Sequence, residues 1–154
     1  MDRNPYSPPA APSSDVVSSG SGALYSPRQI FVASFLGSPI AAAWFIHRNF
    51  MTLGNESRAL RTLWLGLAAT AAVIVVALYL PNRFPNAVLP LAYSIAIYQY
   101  ALFLFKGAYN KHLTEGGRKG SWWVVIGVGL LAVLALAGVA FAIAFAAPSL
   151  FAGN

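Results

Sequence analysis

The sequence predicts an all-α integral membrane protein, in which a bundle of four transmembrane helices follows a disordered amino-terminal tail. Of its 154 residues, 58% are hydrophobic and 9% are charged, whereas about 25% of an average soluble domain is charged. Four long runs contain no charged residue, at 30–46, 62–80, 87–105 and 122–147. So few charges could not cover a water-soluble protein of this size, which excludes an ordinary soluble enzyme.

The tail is predicted at residues 1–27. It contains five of the ten prolines, many serines and few charges. Such a stretch buries too little apolar surface to offset its chain entropy, so we expect it to be disordered. At its end, Pro27 is suited to open the first helix, and Ser26 is suited to cap it.

Turn and capping residues separate the helices, which we predict at 28–53, 56–80, 87–115 and 122–147. Gly54 suits the left-handed position after a helix, and Asn55 can cap the second helix. The link at 81–86, which contains Pro81 and Pro85, predicts an antiparallel pair of helices. Gly116 ends the third helix, and Ser121 is expected to cap the fourth.

The first run permits two interpretations. It has only 17 uncharged residues, and Gly37, Ser38 and Pro39 lie at its middle. We favour a kinked helix that crosses the membrane fully, since Arg28 and Arg48 can extend outward and lengthen the span. The alternative is a re-entrant or interfacial hairpin, because a short apolar run is typical of such segments.

The basic residues predict the orientation. The loops at 47–61 and 106–120 carry seven Lys or Arg residues, whereas the opposite side carries Arg28, Arg83 and the more distant Arg3. Cytoplasmic loops of membrane proteins are enriched in Lys and Arg. We therefore expect both loops in the cytoplasm and both chain ends outside. If the first run does not cross, only the tail moves to the cytoplasmic side.

The composition also excludes several kinds of chemistry. The chain has no cysteine, and its four acidic residues and two histidines, His47 and His112, lie outside the apolar runs. No paired carboxylates, nucleophile and base set or metal-ligand set is evident. We therefore predict no enzyme activity, no cofactor and no metal site. The basic residues lie beside the apolar runs, as they commonly do in the loops of membrane proteins. No nucleic-acid partner is therefore predicted.

Polar residues inside the membrane are concentrated in the third run, at Tyr93, Ser94, Tyr98 and Gln99. Gln99 falls on one helical stripe with Ala92, Ala96 and Phe103. We favour a packing role for these residues, because polar side chains commonly join helices inside membranes. The alternative is a groove that binds a solute.

Small residues recur every four positions in the other runs and predict close helix packing. The predicted packing positions are Gly37 and Ala41 in the first run, Gly66 and Thr70 in the second, and Gly138 and Ala142 in the fourth. A surplus face of this kind could bind a second copy or another protein. Besides the lipid bilayer, we therefore expect a protein partner or self-association.

These observations favour a non-catalytic membrane protein, such as an accessory, assembly or protective partner of another membrane component. The alternative is a small channel or carrier for an ion or small solute, which acts as an oligomer and is lined by the third run. Gln99 distinguishes the two hypotheses, because it would be buried against a partner in the first and accessible to water in the second.

Two segments resemble a known group of proteins. They are LYSPRQIFVASFLGSPIAAAWFIHRNFMTLG at 24–54 and GGRKGSWW at 116–123. They are similar to uncharacterised small bacterial multi-pass inner-membrane proteins. The resemblance implies a bacterial inner membrane and implies nothing about mechanism.

Overall fold

The computed structural model describes residues 22–81, 83, 85 and 87–146, and it confirms the predicted all-helical fold. The helices are α1 (Pro27–Thr52), α2 (Glu56–Tyr79), α3 (Val88–Thr114) and α4 (Trp122–Ala146). All four are long and apolar enough to cross a membrane. Apart from the carboxyl end of α4, where the described residues stop, every helix end lies within one residue of the end expected from the sequence.

Helix α1 is folded back on itself at Ser38 and forms a helical hairpin. Ser38 has φ 80° and ψ 170°, whereas the rest of α1 is helical. The Tyr25 N–H donates to Asn49 Oδ1 at 2.8 Å, although these residues are 24 positions apart. An unbroken helix of that length would separate them by about 36 Å. A first arm, 27–37, and a second arm, 39–52, therefore run antiparallel. The structure thus shows the alternative, a re-entrant or interfacial hairpin, rather than the favoured straight crossing.

The hairpin extends only part of the way along the bundle. Its first arm measures about 16 Å, roughly half of a ~30 Å hydrocarbon core. At the tip, a Cβ on Gly66 of α2 would lie 3.5 Å from the Pro39 carbonyl oxygen. Beyond Gly66, α2 continues for about 20 Å. Three helices therefore run the length of the bundle, and α1 returns to the end where it began.

We call this end, which contains 22–26, 53–55 and 115–121, the base, and the opposite end, which contains the link between α2 and α3, the far end. Leu24 and Gly120 are joined at the base by a backbone hydrogen bond of 2.8 Å. Arg28 therefore lies at the base, beside the basic loops. This corrects the expectation that it lies on the opposite side.

The hairpin is the centre of the molecule. Helices α2, α3 and α4 each pack on α1, and no other pair of helices in the described part of the chain has an extensive interface. In the most apolar window of each helix, 56% of the residues are buried in α1, against 17%, 17% and 11% in α2, α3 and α4. The core joins Ile30 and Phe45 of α1 to Phe105 of α3 and Val125 of α4.

The helix ends confirm two expectations and correct one. Ser26 caps α1 through a capping box with Gln29, and Pro27 is its first residue. Gly54 has φ 74° and accommodates the left-handed turn after α1. Asn55 does not cap α2 with its side chain. Its amide donates instead to the Leu53 carbonyl at 3.4 Å.

The predicted tail needs a correction at its end. Most of it, residues 1–21, lies outside the described residues. Residues 22–27 are held against the bundle, with Leu24 fully buried and Tyr25 only 6% exposed. Their backbone forms hydrogen bonds with distant residues, and these bonds, together with the burial, offset the entropy on which the prediction rested.

Candidate functional site

At the base, the Asn49 side chain joins the second arm to the segment just before the first arm. Its Oδ1 accepts the Tyr25 N–H, and its Nδ2 donates to the Tyr25 carbonyl, both at 2.8 Å. The Tyr25 ring lies edge-on to Phe45, with ring centroids 4.6 Å apart. Both hydrogen bonds are buried, so the amide satisfies two backbone groups that water cannot reach.

The same base fastens the loop between α3 and α4 to the hairpin. Gln29 Nε2 donates to the Gly120 carbonyl at 2.7 Å, and this bond is buried. The Leu24 N–H donates to the Arg118 carbonyl at 3.0 Å, and the Gly120 N–H donates to the Leu24 carbonyl at 2.8 Å. A Cβ on Gly120 would collide with the Tyr25 ring, so this position requires glycine.

The hairpin tip is tightly packed and strained. A Cβ on Gly37 would lie 2.8 Å from the Cα and carbonyl oxygen of Gly129, so the first arm touches the backbone of α4. The conformation of Ser38 is one that essentially only glycine adopts, at a cost of about 1–3 kcal/mol for another residue. Its Oγ is buried and has no hydrogen-bond partner among the described residues.

The polar residues of α3 divide between two faces. Ser94 is fully buried, and its Oγ lies 3.0 Å from Ser34 Oγ of the first arm. Tyr98 packs edge-on against Phe31 with ring centroids 5.9 Å apart, and Tyr93 is half-buried. Gln99 is exposed. The structure thus brings Ser94 and Tyr98 to α1 and leaves Gln99 on the outer surface.

The small residues of the first two runs lie where the helices approach closely. Gly37, Ala41, Gly66 and Thr70 are all buried. A Cβ on Gly66 would collide with the Cβ of Ala43. The Thr70 hydroxyl donates to the Gly66 carbonyl at 2.8 Å within its own helix. Gly66 therefore allows α2 to pack closely on the second arm, whereas Gly37 lets α4 approach the first arm.

The small residues of the fourth run lie elsewhere. Gly138 and Ala142 are exposed, and no atom of another described helix lies within 4 Å of where a Cβ on Gly138 would be. Within this chain, the close approach of α4 is made by Gly129 instead. The expectation that Gly138 and Ala142 pack against another helix of the chain is corrected, because the hairpin ends before it reaches their level.

The titratable side chains form no metal centre among the residues that the structure describes, where no three His, Asp or Glu side chains come together. His47 Nδ1 and His112 Nε2 are buried without a hydrogen-bond partner in the same part of the chain. His112 packs against Gly117 of the following loop. Both histidines therefore occupy packed positions at the base.

Sequence reasoning missed Gln29, Ser34, Asn49, Gly120 and Gly129. Gln29 and Asn49 flank the first apolar run. Their two amide side chains, one at each end of the run, were the signal that could have indicated a buried polar contact there. Comparison with known protein families, curated proteins and solved structures finds no match for this chain.

Proposed function

We propose that the chain is a non-catalytic membrane partner, an accessory, assembly or protective subunit that binds another protein in a bacterial inner membrane. The observation that supports this is the exposed amide of Gln99. It lies about 9 Å from Phe105, the last residue of the charge-free run, and hence inside the hydrocarbon region. An amide there is costly to leave facing lipid.

The surroundings of Gln99 favour a helical partner. Ala92 and Ala96 are exposed on the same stripe, and their small side chains would let another helix approach closely. The Gln99 amide carries both donors and an acceptor, so it can bond to a polar side chain or to the same residue of a second copy. The bond would be worth about 0.6–2 kcal/mol in a membrane.

The orientation proposed with this function places the base in the cytoplasm. The basic residues of the base are Arg28, Arg48, Arg58, Arg61, Lys106, Lys111, Arg118 and Lys119. At the far end, only Arg83 is basic among the described residues. Because α1 is a hairpin, the described start of the chain is then also cytoplasmic, as the positive-inside rule favours.

Site-specific photo-crosslinking in native membranes tests the partner. A photoreactive residue replaces Ala96, next to Gln99 on the stripe, and a matched control replaces Leu134, which is 68% exposed on α4. We expect one discrete protein adduct from position 96, lost in the Gln99→Leu background, and none from position 134. Protein adducts whose yield is unchanged by Gln99→Leu, or adducts with lipid alone, would contradict the proposal.

A small channel or carrier is the second candidate, and the hairpin favours it. A re-entrant segment with a strained tip and an unpaired Ser38 hydroxyl resembles the broken helices that line transport sites. Gln99→Cys separates the two functions. A partner subunit keeps this position dry and slow to react with aqueous thiol reagents, whereas a carrier would expose it to water, and Gln99→Leu would then alter solute flux in proteoliposomes.

A further inference from the structure

An apolar cleft lies between the second arm of the hairpin, α2 and α3. Its walls include Pro39 and Ala43 of the hairpin, Gly66 and Ala69 of α2, and Ile97 of α3, and its volume is about 170 Å³. Because α2 and α3 share no extensive interface in the described part of the chain, they do not close the cleft toward the surrounding lipid.

The size and chemistry of the cleft suit a segment of hydrocarbon chain. A closed apolar cavity of about 150 Å³ is large enough to bind benzene. A whole helix, about 10 Å wide with its side chains, is too broad to enter. The cleft lies within the charge-free runs of α2 and α3, where lipid acyl chains are the adjacent molecules.

Positive charge lies next to the basal end of the cleft. Thr62 lines the cleft, and its hydroxyl donates to the Arg58 carbonyl at 2.8 Å, one turn nearer the base. Arg58 therefore shares the face of α2 that borders the cleft, and Arg61 flanks it. Both arginines are exposed at the level where the charge-free run begins, which is the depth of lipid headgroups.

We propose that this cleft binds an anionic phospholipid, with part of one acyl chain between α2 and α3 and the phosphate at Arg58 and Arg61. Arginine binds phosphate with two parallel hydrogen bonds, and basic residues near the membrane surface attract anionic lipids. The site is independent of the Gln99 stripe, because Gln99 does not line the cleft.

Native mass spectrometry of the purified full chain tests the site, with phosphatidylglycerol and phosphatidylcholine as probes. We expect wild-type protein to retain phosphatidylglycerol preferentially. Ala69→Trp, which fills the cleft, and the double variant Arg58→Gln with Arg61→Gln should each weaken this binding about tenfold or more. Two matched controls, Ala71→Trp on the opposite face of α2 and Arg83→Gln at the far end, should leave it unchanged.

A second measurement avoids dependence on folding of the variants. Phosphatidylglycerol with a photoreactive group in its acyl chain is added to wild-type protein, and the labelled peptides are identified. We expect label on the α2 and α3 segments that contain Ala69 and Ile97. Equal retention of the two lipids, a loss in the arginine variant alone, or label spread evenly over all helices would overturn the proposal.

Discussion

The side-chain amide of Asn49 holds the backbone of Tyr25 at both its N–H and its carbonyl, with two buried hydrogen bonds of 2.8 Å. The contact joins residues at opposite ends of the first apolar run. It closes the hairpin and brings the start of the described chain to the base.

Replacing Asn49 should therefore destabilise the whole molecule. Asn49→Ala leaves two buried backbone groups of Tyr25 without partners, at a cost of about 1–3 kcal/mol each. We expect the free energy of unfolding in detergent to fall by about 2–6 kcal/mol. Asn110→Ala, at an exposed position of α3, is the control and should change little. Similar losses from both variants would count against the role given to Asn49.

The close approach of α2 to the hairpin gives a second prediction. Gly66→Val would drive a side chain into Ala43, so we expect a loss of about 1–3 kcal/mol from overpacking. Gly138→Val adds the same side chain where no atom of another described helix lies within 4 Å, and it should leave the stability of the monomer unchanged. Thermal unfolding in detergent measures both. A larger effect at Gly138 would show that α4 packs against something at that level.

The strain at Ser38 gives a third prediction. Ser38→Gly allows the backbone to keep φ 80° without steric cost, so we expect a gain of roughly 1 kcal/mol in stability. Ser38→Ala removes the hydroxyl but retains the strain, and it separates the two effects. If alanine and glycine behave alike in the same unfolding measurement, the unpaired hydroxyl rather than the backbone is the source of the cost.

The hydroxyl pair of Ser34 and Ser94 gives a fourth prediction. These atoms lie 3.0 Å apart and link the first arm to α3 in a buried site. Hydrogen bonds between membrane helices average about 0.6 kcal/mol and reach about 1.7 kcal/mol. A double-mutant cycle of Ser34→Ala and Ser94→Ala should give a coupling energy in that range. Strictly additive losses would mean that the two hydroxyls do not interact.

The ends of the helices could be predicted because local chemistry sets them. Ser26 and Pro27 begin α1, and Gly54 and Gly116 adopt the left-handed conformation that ends a helix. The hairpin could not be decided in this way. A proline in the middle of a run is compatible with a kinked span, and the reversal depends on contacts between residues far apart in sequence, such as Gln29 with Gly120.

The predicted packing positions show the same limit of prediction from local sequence patterns. Gly66 and Gly138 have equivalent small-residue patterns, yet Gly66 is buried and Gly138 is exposed. Periodicity identifies which face of a helix can pack closely, but it does not reveal how far along the bundle a neighbour extends. Because the hairpin stops at Pro39, Gly138 lies beyond its tip and has no close neighbour among the described residues. Ser94, in contrast, lies at a level that the hairpin reaches, so its hydroxyl contacts Ser34 of α1.

A designed disulfide tests the hairpin most directly, because the chain has no cysteine of its own. A Cβ on Gly22 would lie 3.4 Å from the Cβ of Thr52, close to the separation of about 3.5–4.5 Å that a disulfide requires. A straight α1 would hold these positions about 45 Å apart.

We expect Gly22→Cys with Thr52→Cys to form an intramolecular disulfide on mild oxidation in native membranes. Trypsin cleaves after Arg28 and Arg48, so mass spectrometry would detect two peptides joined by the bond. Gly22→Cys with Arg83→Cys is the control and should remain unlinked. Two free thiols at positions 22 and 52 under these conditions would contradict the re-entrant hairpin.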